Sequence, residues 1–452
     1  MIVPRSRLLF WVAAVVLPFA FLAAAAPNAA AVSLLFIGGL FLVVLADAFG
    51  ARKSLAGIGV ELPAVARMSK DREAKLELRI RNEPQRSRTL RVGLPWPREI
   101  KVAAEEMDTL LPAQSEWSRL TWPCTPLQRG NYKFERAFVE GASALGFWAA
   151  RKTVPVQSEI RVYPNLLGER KNLAALFLNR GVFGLHAQRQ VGKGRDFEKL
   201  REYVPGDSYD EIHWKATARR GKPITKVFQI EKTQEVYVVV DASRLSARDV
   251  QSSRTPDGGD SQPGTSVLER FVTAALVLGL AAEQQGDLFG LLTFTDRVER
   301  FVRAKNGQAH YNACRDALYT LQPKIATPDF DELCMFIRLR LRRRALLVFL
   351  TALDDPAIAE SFVHNIELIR RQHLVLVNML QPPGVAPLFS NPGVAGIDDL
   401  YRELGGHLRW QKLRELQKVL QRHGVQFSLP ANERLSAEIV SQYLNVKQRQ
   451  LL

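Results

Sequence analysis

The chain has 452 residues, with Lys+Arg 62 against Asp+Glu 46, a formal net charge of +16, 47% hydrophobic and 24% charged residues. This apolar content excludes a disordered or collagen-like chain, and at roughly 100–200 residues per domain the length predicts two or three folded units. The cysteines, Cys124, Cys314 and Cys334, stand too far apart for a disulfide framework or a CxxC-type zinc site, and the histidines show no HExxH spacing. The expectation is therefore buried, reduced thiols in a reducing compartment, and no metalloenzyme.

From Leu8 to Ala46 no charged residue occurs, and Pro27-Asn28 separates two apolar stretches, Leu8–Ala26 and Ala29–Ala46. Each is near the ~20 helical residues needed to cross ~30 Å of hydrocarbon. Arg5 and Arg7 precede the first span while Arg52 and Lys53 follow the second. By the positive-inside rule both ends are cytoplasmic and only the turn reaches the far side. Residues 1–53 thus read as a transmembrane hairpin in the lipid bilayer. A cleaved signal peptide ending near Ala24-Ala25-Ala26 is the alternative, but the second apolar run would still anchor the chain. Pro18 is tolerated inside a span.

Residues 54–165 read as a β-rich, sandwich-like module. AKLELRIRN over Ala74–Asn82 alternates apolar and charged residues, as a half-buried strand does. Short β patterns recur at Leu90–Leu94, Ser118–Trp122, Asn131–Val139 and Glu159–Tyr163, separated by Pro, Gly and Asn. Their spacing predicts an antiparallel sandwich. Arg129-Gly130-Asn131-Tyr132 reads as a turn opening a strand, and Gly146-Phe147-Trp148 as core in preference to a ligand site.

Residues 166–234 hold the densest stretch, GRDFEKLREYVPGDSYDEIHWKATARRGKPITKVFQIEK from Gly194. It resembles the signature of the bacterial family called domain of unknown function 58. The matching positions are Gly194, Phe197, Leu200, Arg201, Tyr203, Pro205, Gly206 and Asp207, then Ile212, Trp214, Lys215, Ala218 and Arg219. Where members usually carry an Arg between the Asp and the Ile, this chain has Ser208-Tyr209-Asp210-Glu211. Read physically, Pro205-Gly206-Asp207 is a turn. Asp207 can bond local amides or pair with Arg201 or Arg219. Trp214 brings a large apolar body, and Lys215 and Arg219 share one face if the segment is helical. The default reading is a buried ion-pair and aromatic network joining the modules; the alternative is a partner-docking surface. No nucleophile with an adjacent base stands here, so no catalytic residue is assigned, and His213 reads as structural.

From 235 to 452 short β-branched runs alternate with longer helical stretches. Strands are expected at Val236–Val240, Leu288–Phe294, Ala345–Leu350, Leu374–Met379 and Val425–Leu429. Helices are expected at Val267–Gln285, His310–Leu321, Asp331–Arg343, Ile358–Gln372, Leu400–Arg422 and Arg434–Leu444. The pattern predicts a doubly wound α/β domain, with functional atoms beyond the carboxyl ends of the strands. There lie Asp241 to Ser246, then Thr351 to Asp355, with Thr327 in an intervening loop. This arrangement resembles a degenerate von Willebrand factor A domain, whose complete loops hold Mg²⁺ through hard oxygen ligands. Asp241, Ser243 and Thr327 match; Leu245 and Thr351-Ala352 depart from the pattern, with Ser246 or Asp354 as neighbouring substitutes. A vestigial structural loop is the default reading, and Mg²⁺ binding the alternative. The polar stretch Arg248 to Ser266 reads as an insertion. Arg338, Arg340, Arg342, Arg343 and Arg344 read as a solvated basic helix end, or one attracted to an anionic leaflet.

The fold class expected is thus a membrane-anchored combination of hairpin, sandwich and α/β domain. P-loop, GxGxxG, GxSxG and HExxH patterns are missing. The reading preferred is a non-enzymatic interaction protein of the bacterial inner membrane. The resemblance implies work beside a MoxR-type AAA+ ATPase in a chaperone-like or assembly role. An enzyme with a motif-less site remains open, as does a basic nucleic-acid or anionic-lipid binder, although no RNP or zinc-finger pattern accompanies the charge.

Overall fold

The computed structural model describes residues 1–169, 191–205, 208–229, 234–250, 265–388, 390 and 396–449. They divide into two compact units, Met1–Asn165 and Leu166–Leu452.

The first unit opens with a strand, Ile2–Pro4, and two helices, Ser6–Ala25 and Ala30–Lys53. Both helices are long and apolar enough to cross a membrane. A short turn at Pro27–Ala29 joins them, and the Phe19 and Phe36 rings stack at 4.7 Å. Leu9, Phe21, Leu34, Phe41 and Leu42 point outward, the inversion of a soluble helix pair that a bilayer accommodates.

The remainder of this unit is two packed sheets. Among the described residues, one sheet has the order Ile2–Pro4, Trp148–Tyr163, Gly130–Ala142, Arg88–Gly93, Glu106–Leu111, with Val65–Ser69 also on Trp148–Tyr163. The other runs Ile58–Glu61, Ala74–Asn82, Trp117–Pro126, Ile100–Val102. Ala74–Asn82 shows why: Leu76, Leu78 and Ile80 are buried while Lys75, Glu77, Arg79 and Arg81 face water. Their core partners across the sandwich include Val92, Phe134 and Val162. Trp122 is buried and donates its indole N–H to the Ala104 carbonyl at 3.0 Å. The sandwich is not wholly antiparallel, because Val65–Ser69 runs parallel to Trp148–Tyr163. That strand pairs beyond the stretch occupied by Ile2–Pro4, so one long strand serves two edge partners.

In the second unit the main sheet has the order Val298–Lys305, Leu288–Phe294, Glu235–Asp241, Leu346–Leu350, Leu374–Asn378, Gln426–Ser428. All neighbours are parallel except Val298–Lys305, an antiparallel edge strand. Val236, Val238 and Val240 face one core with residues of the helices Val267–Gln284, Gln308–Leu318 and Leu435–Gln448. Tyr237 and Val239 face the other, with Phe330–Arg340, Pro356–Arg370 and Ile397–Arg422. Burial on both faces explains the unbroken apolar run of the central strand. Helix starts are set by side chains: Ser266, Asp329 and Asp355 each accept a backbone N–H of the first turn. At the strand ends opposite the Asp241 loop, Asp287 accepts from the Gln234 N–H at 3.1 Å, from Lys447 Nζ at 2.8 Å and from the Tyr443 hydroxyl. This buried network ties the last helix to the sheet.

Two expectations need adjustment here. The helix carrying the arginine cluster ends at Arg340, so Arg342, Arg343 and Arg344 lie in the following loop and do not extend it. Of the insertion at 248–266, residues 251–264 lie outside the described residues. Its ends meet through a bridge between Asp249 and Ser266.

Candidate functional site

The signature segment folds as a β-ribbon with a short helix between its strands. Val191–Glu202 pairs antiparallel with Ile224–Gln229, bringing Arg201 opposite Thr225. The helix Trp214–Arg220 begins at His213, whose Nδ1 accepts the Ala216 N–H at 3.0 Å. It ends at Gly221, with φ +66, whose N–H donates to the Thr217 carbonyl; glycine is favoured there because a Cβ strains the left-handed conformation. Thr217 Oγ1 donates to the His213 carbonyl at 3.2 Å and accepts the Ile224 N–H at 3.0 Å, fastening the helix to the ribbon. Ile212, Ile224 and Thr225 are buried.

On this frame Trp214 is 70% exposed and Tyr209 75% exposed. Tyr203 stacks on Tyr209 at 6.1 Å. Lys215, Arg219 and Pro205 are exposed and Arg201 is half-buried. The expectation of a buried aromatic network is therefore overturned at Trp214. The helix is only seven residues long and buries none of them, so the small core of this ribbon is supplied by Ile212 and Ile224 instead. Gly206 and Asp207 lie outside the described residues.

The second candidate lies at the carboxyl end of Glu235–Asp241. Asp241 is fully buried; its Oδ1 accepts the Ser243 N–H at 2.8 Å and its Oδ2 the Thr351 hydroxyl at 2.6 Å. Burial pushes this carboxyl up from its ordinary value, opposed by the Thr351 and Ser243 hydrogen bonds. Ser243 Oγ is buried and makes no well-aligned hydrogen bond among the described residues. Thr327 is exposed, in a loop joined to the Asp241 loop by Arg244 N–H to Ala326 O at 3.0 Å and Lys324 N–H to Ala242 O at 2.8 Å. Leu245 is buried in the core. Ser246 Oγ donates to the Ser243 carbonyl at 2.7 Å, and Asp354 pairs with Arg248. Ser246 is thus engaged within its own loop, while Asp354 gives one oxygen to Arg248 and keeps Oδ1 buried without a hydrogen-bond partner among the described residues.

A third constellation escaped the sequence reading. Asp47, near the end of the second apolar helix, is buried against the turn that follows Gly130–Ala142. It accepts from Ser143 Oγ at 2.6 Å, Leu145 N–H at 3.1 Å and Phe147 N–H at 3.3 Å, while the Trp148 indole donates to the Val44 carbonyl at 3.0 Å. Gly146-Phe147-Trp148 thus serves as a socket for the hairpin. The available signal was a lone carboxylate inside a helix of spanning length, where a charge demands a partner.

No curated protein matches this chain. Among solved structures, the PilB minor pilin from Streptococcus sanguinis aligns over 90% of this chain and 96% of its own, at 10% identity and TM-score 0.32. The conserved hypothetical protein BatB from Bacteroides thetaiotaomicron aligns over 48% and 99%, at 15% identity and TM-score 0.27. An aerotolerance-related membrane protein from Bacteroides fragilis aligns over 47% and 98%, at 14% identity and TM-score 0.28. Likenesses this distant carry no argument about fold or activity. The family comparison is different, because it falls on the ribbon, the helix and the strand-end loops just described: residues 199–386 match the family described as protein of unknown function DUF58, and the chain carries that family's region.

Proposed function

We propose that this chain is a membrane-anchored, non-enzymatic interaction or assembly factor whose docking surface is the signature patch around Trp214. The observation that carries the reading is the exposure of Trp214 (70%) and Tyr209 (75%) beside exposed Lys215 and Arg219. Exposed aromatics beside cations have the composition of an interaction hot spot. The apolar hairpin supplies the anchor, with both ends of the chain and its two units in the cytoplasm of a bacterial inner membrane. The partner that the family resemblance implies is a MoxR-type AAA+ ATPase.

The strand order, with one antiparallel edge and an acidic loop after the first central strand, supports a von Willebrand factor A-like reading of the α/β domain. The Asp241 loop does not fit Mg²⁺, which demands near-octahedral oxygen coordination. Both oxygens of Asp241 already accept hydrogen bonds, Leu245 offers none, and Arg248 takes one oxygen of Asp354. Among the described residues of these loops this leaves only Ser243 Oγ and Asp354 Oδ1 as buried oxygens without a partner, too few for that shell. We read it as a hydrogen-bonded clasp between the ends of two strands.

Affinity capture from solubilised membranes tests the docking surface. An AAA+ ATPase is expected with the wild type, and Trp214→Ala is expected to lose it by tenfold or more, as for a hot-spot aromatic worth about 2 kcal/mol, with an unchanged thermal midpoint. Equal recovery by both, or salt-sensitive recovery of nucleic acid in its place, refutes the assignment. A C-terminal reporter found periplasmic refutes the orientation.

A further inference from the structure

At the root of the hairpin a cavity of about 540 Å³ is walled by Arg5, Arg7, Arg91, Glu140, Ser143 and Gly146. Its parts are rigidly held. The strand Ile2–Pro4 is registered on Trp148–Ala150, and the Arg5 N–H donates to the Phe147 carbonyl at 2.9 Å. The turn 143–147 is fixed from behind by Asp47. Gly146 has φ +77, and a Cβ there would stand 3.3 Å from Arg7 Nη1, so the guanidinium lies directly against the turn.

The charges around this cavity are unevenly satisfied. Arg91 is paired with Asp108 at 2.9 Å and Glu106 at 3.7 Å, and Glu140 with Arg151 at 2.7 Å. Arg5 and Arg7 have no ion pair among the described residues. Two guanidiniums, each able to bind a phosphate through paired N–H donors, therefore face a polar cavity whose own carboxylate, Glu140, is taken by Arg151, and the acid acting on Arg5, Asp108, is taken by Arg91. Immediately along the same helix, Leu9, Phe10 and Trp11 are exposed. A ligand that fits both features is an amphiphile, with its phosphate in the cavity and its acyl chains along the helix.

We propose that this cavity holds the headgroup phosphate of an anionic phospholipid. The proposal rests on the membrane-anchored reading above. The lipid occupies the cavity from the bilayer surface, where the hairpin root lies when the two helices span it. There it neutralises Arg5 and Arg7, and it locks the Ile2–Pro4 strand and the 143–147 turn at a fixed height relative to the hydrocarbon.

The test uses the full chain, purified in detergent and delipidated, titrated with phosphatidylglycerol, phosphatidylcholine or inorganic phosphate and read by native mass spectrometry. One tightly bound phosphatidylglycerol per chain is expected. Its affinity should fall about tenfold or more in Arg5→Gln/Arg7→Gln, given the contribution of each surface cation to anionic-lipid binding. Ala144→Glu, which sets a carboxylate on the cavity rim and leaves both arginines in place, should weaken it as well. Arg338→Gln/Arg340→Gln should leave it unchanged. Equal phosphatidylglycerol binding by the wild type and both cavity variants overturns the proposal, as does equally tight phosphatidylcholine. Displacement of the lipid by millimolar inorganic phosphate overturns the lipid source and assigns a soluble phosphate. Alkaline carbonate extraction separates the two readings. Release of the wild-type chain from membranes defeats anchoring and the lipid site together, while retention with arginine-independent binding defeats the lipid site alone.

Discussion

A buried carboxylate is neutralised either by a cation or by a proton, and Asp241 distinguishes the two through pH. Its folded value is raised by burial, so above the ordinary carboxylate value of about 3.9 the folded state binds more protons than the unfolded one. The contribution to stability is therefore lost as pH rises from that ordinary value through the raised one. Asp241→Asn lacks this titration. In urea unfolding at pH 4.5 and 7.5 the wild type should lose stability relative to the variant between the two, and added Mg²⁺ should not restore it. A wild type that instead gains relative stability at the higher pH would mean an ionised, cation-held Asp241. The thiols behave consistently with their surroundings: burial pushes Cys124 to about 11 and Cys314 and Cys334 to about 12. All three should resist alkylation at pH 8 until the chain is unfolded, which thiol labelling with and without denaturant reads directly. Their burial was legible from residue type and isolation. The exposure of Trp214 was not, because an aromatic among charges fits a buried network and an interaction patch equally well until the packing around it is known.

Strands and helices differ in how much of them the pattern of residues reveals. Leu288–Phe294 and Ala74–Asn82 coincide with the expected spans, since one is apolar throughout and the other alternates cleanly. Val298–Lys305, VERFVRAK, was missed. It is an edge strand, with half-buried and exposed residues mixed along it and only Ala304 buried, and an edge needs no continuous apolar run. Ile2–Pro4 is too short for any period to register. Pairing adds constraints that composition does not carry. Gly290 stands opposite Tyr237, and a Cβ there would come within 2.3 Å of the ring and 3.0 Å of the Ala304 nitrogen. Gly290→Ala should destabilise the α/β domain by about 3 kcal/mol, at the upper end of overpacking costs. A fall in the urea midpoint checks it, and an unchanged midpoint would show that the ring can move aside.

The division of the chain at Asn165 has consequences for how it can be cut. The sandwich shares a unit with the hairpin, which contributes Asp47 to the 143–147 turn, and with the Ile2–Pro4 strand on its sheet edge. A fragment of residues 54–165 should therefore be less stable than residues 1–165 in detergent. Residues 166–452, with cores on both faces of their own sheet, should resist protease alone. Limited proteolysis of the three fragments compares them, and equal resistance of the first two would show that the hairpin is only a tether. On the proposed membrane-anchored reading, the net charge of +16 has anionic lipid as its nearer counter-ion.

The order of residues specified the elements whose signal is local: the span-length apolar helices, the alternating strand at 74–82, the unbroken apolar strands of the parallel sheet and the acids that start its helices. Each depends on hydrophobic period or on capping within a few residues, so neighbours in sequence suffice. The packed chain decided everything that joins distant positions. Asp47 meets Ser143, Thr351 caps Asp241, Arg248 takes Asp354, and Arg5 and Arg7 share a cavity with Gly146. A buried polar group finds its partner through the fold's geometry, where desolvation makes an unmade hydrogen bond costly, and nothing in the local spacing encodes which residue that partner is.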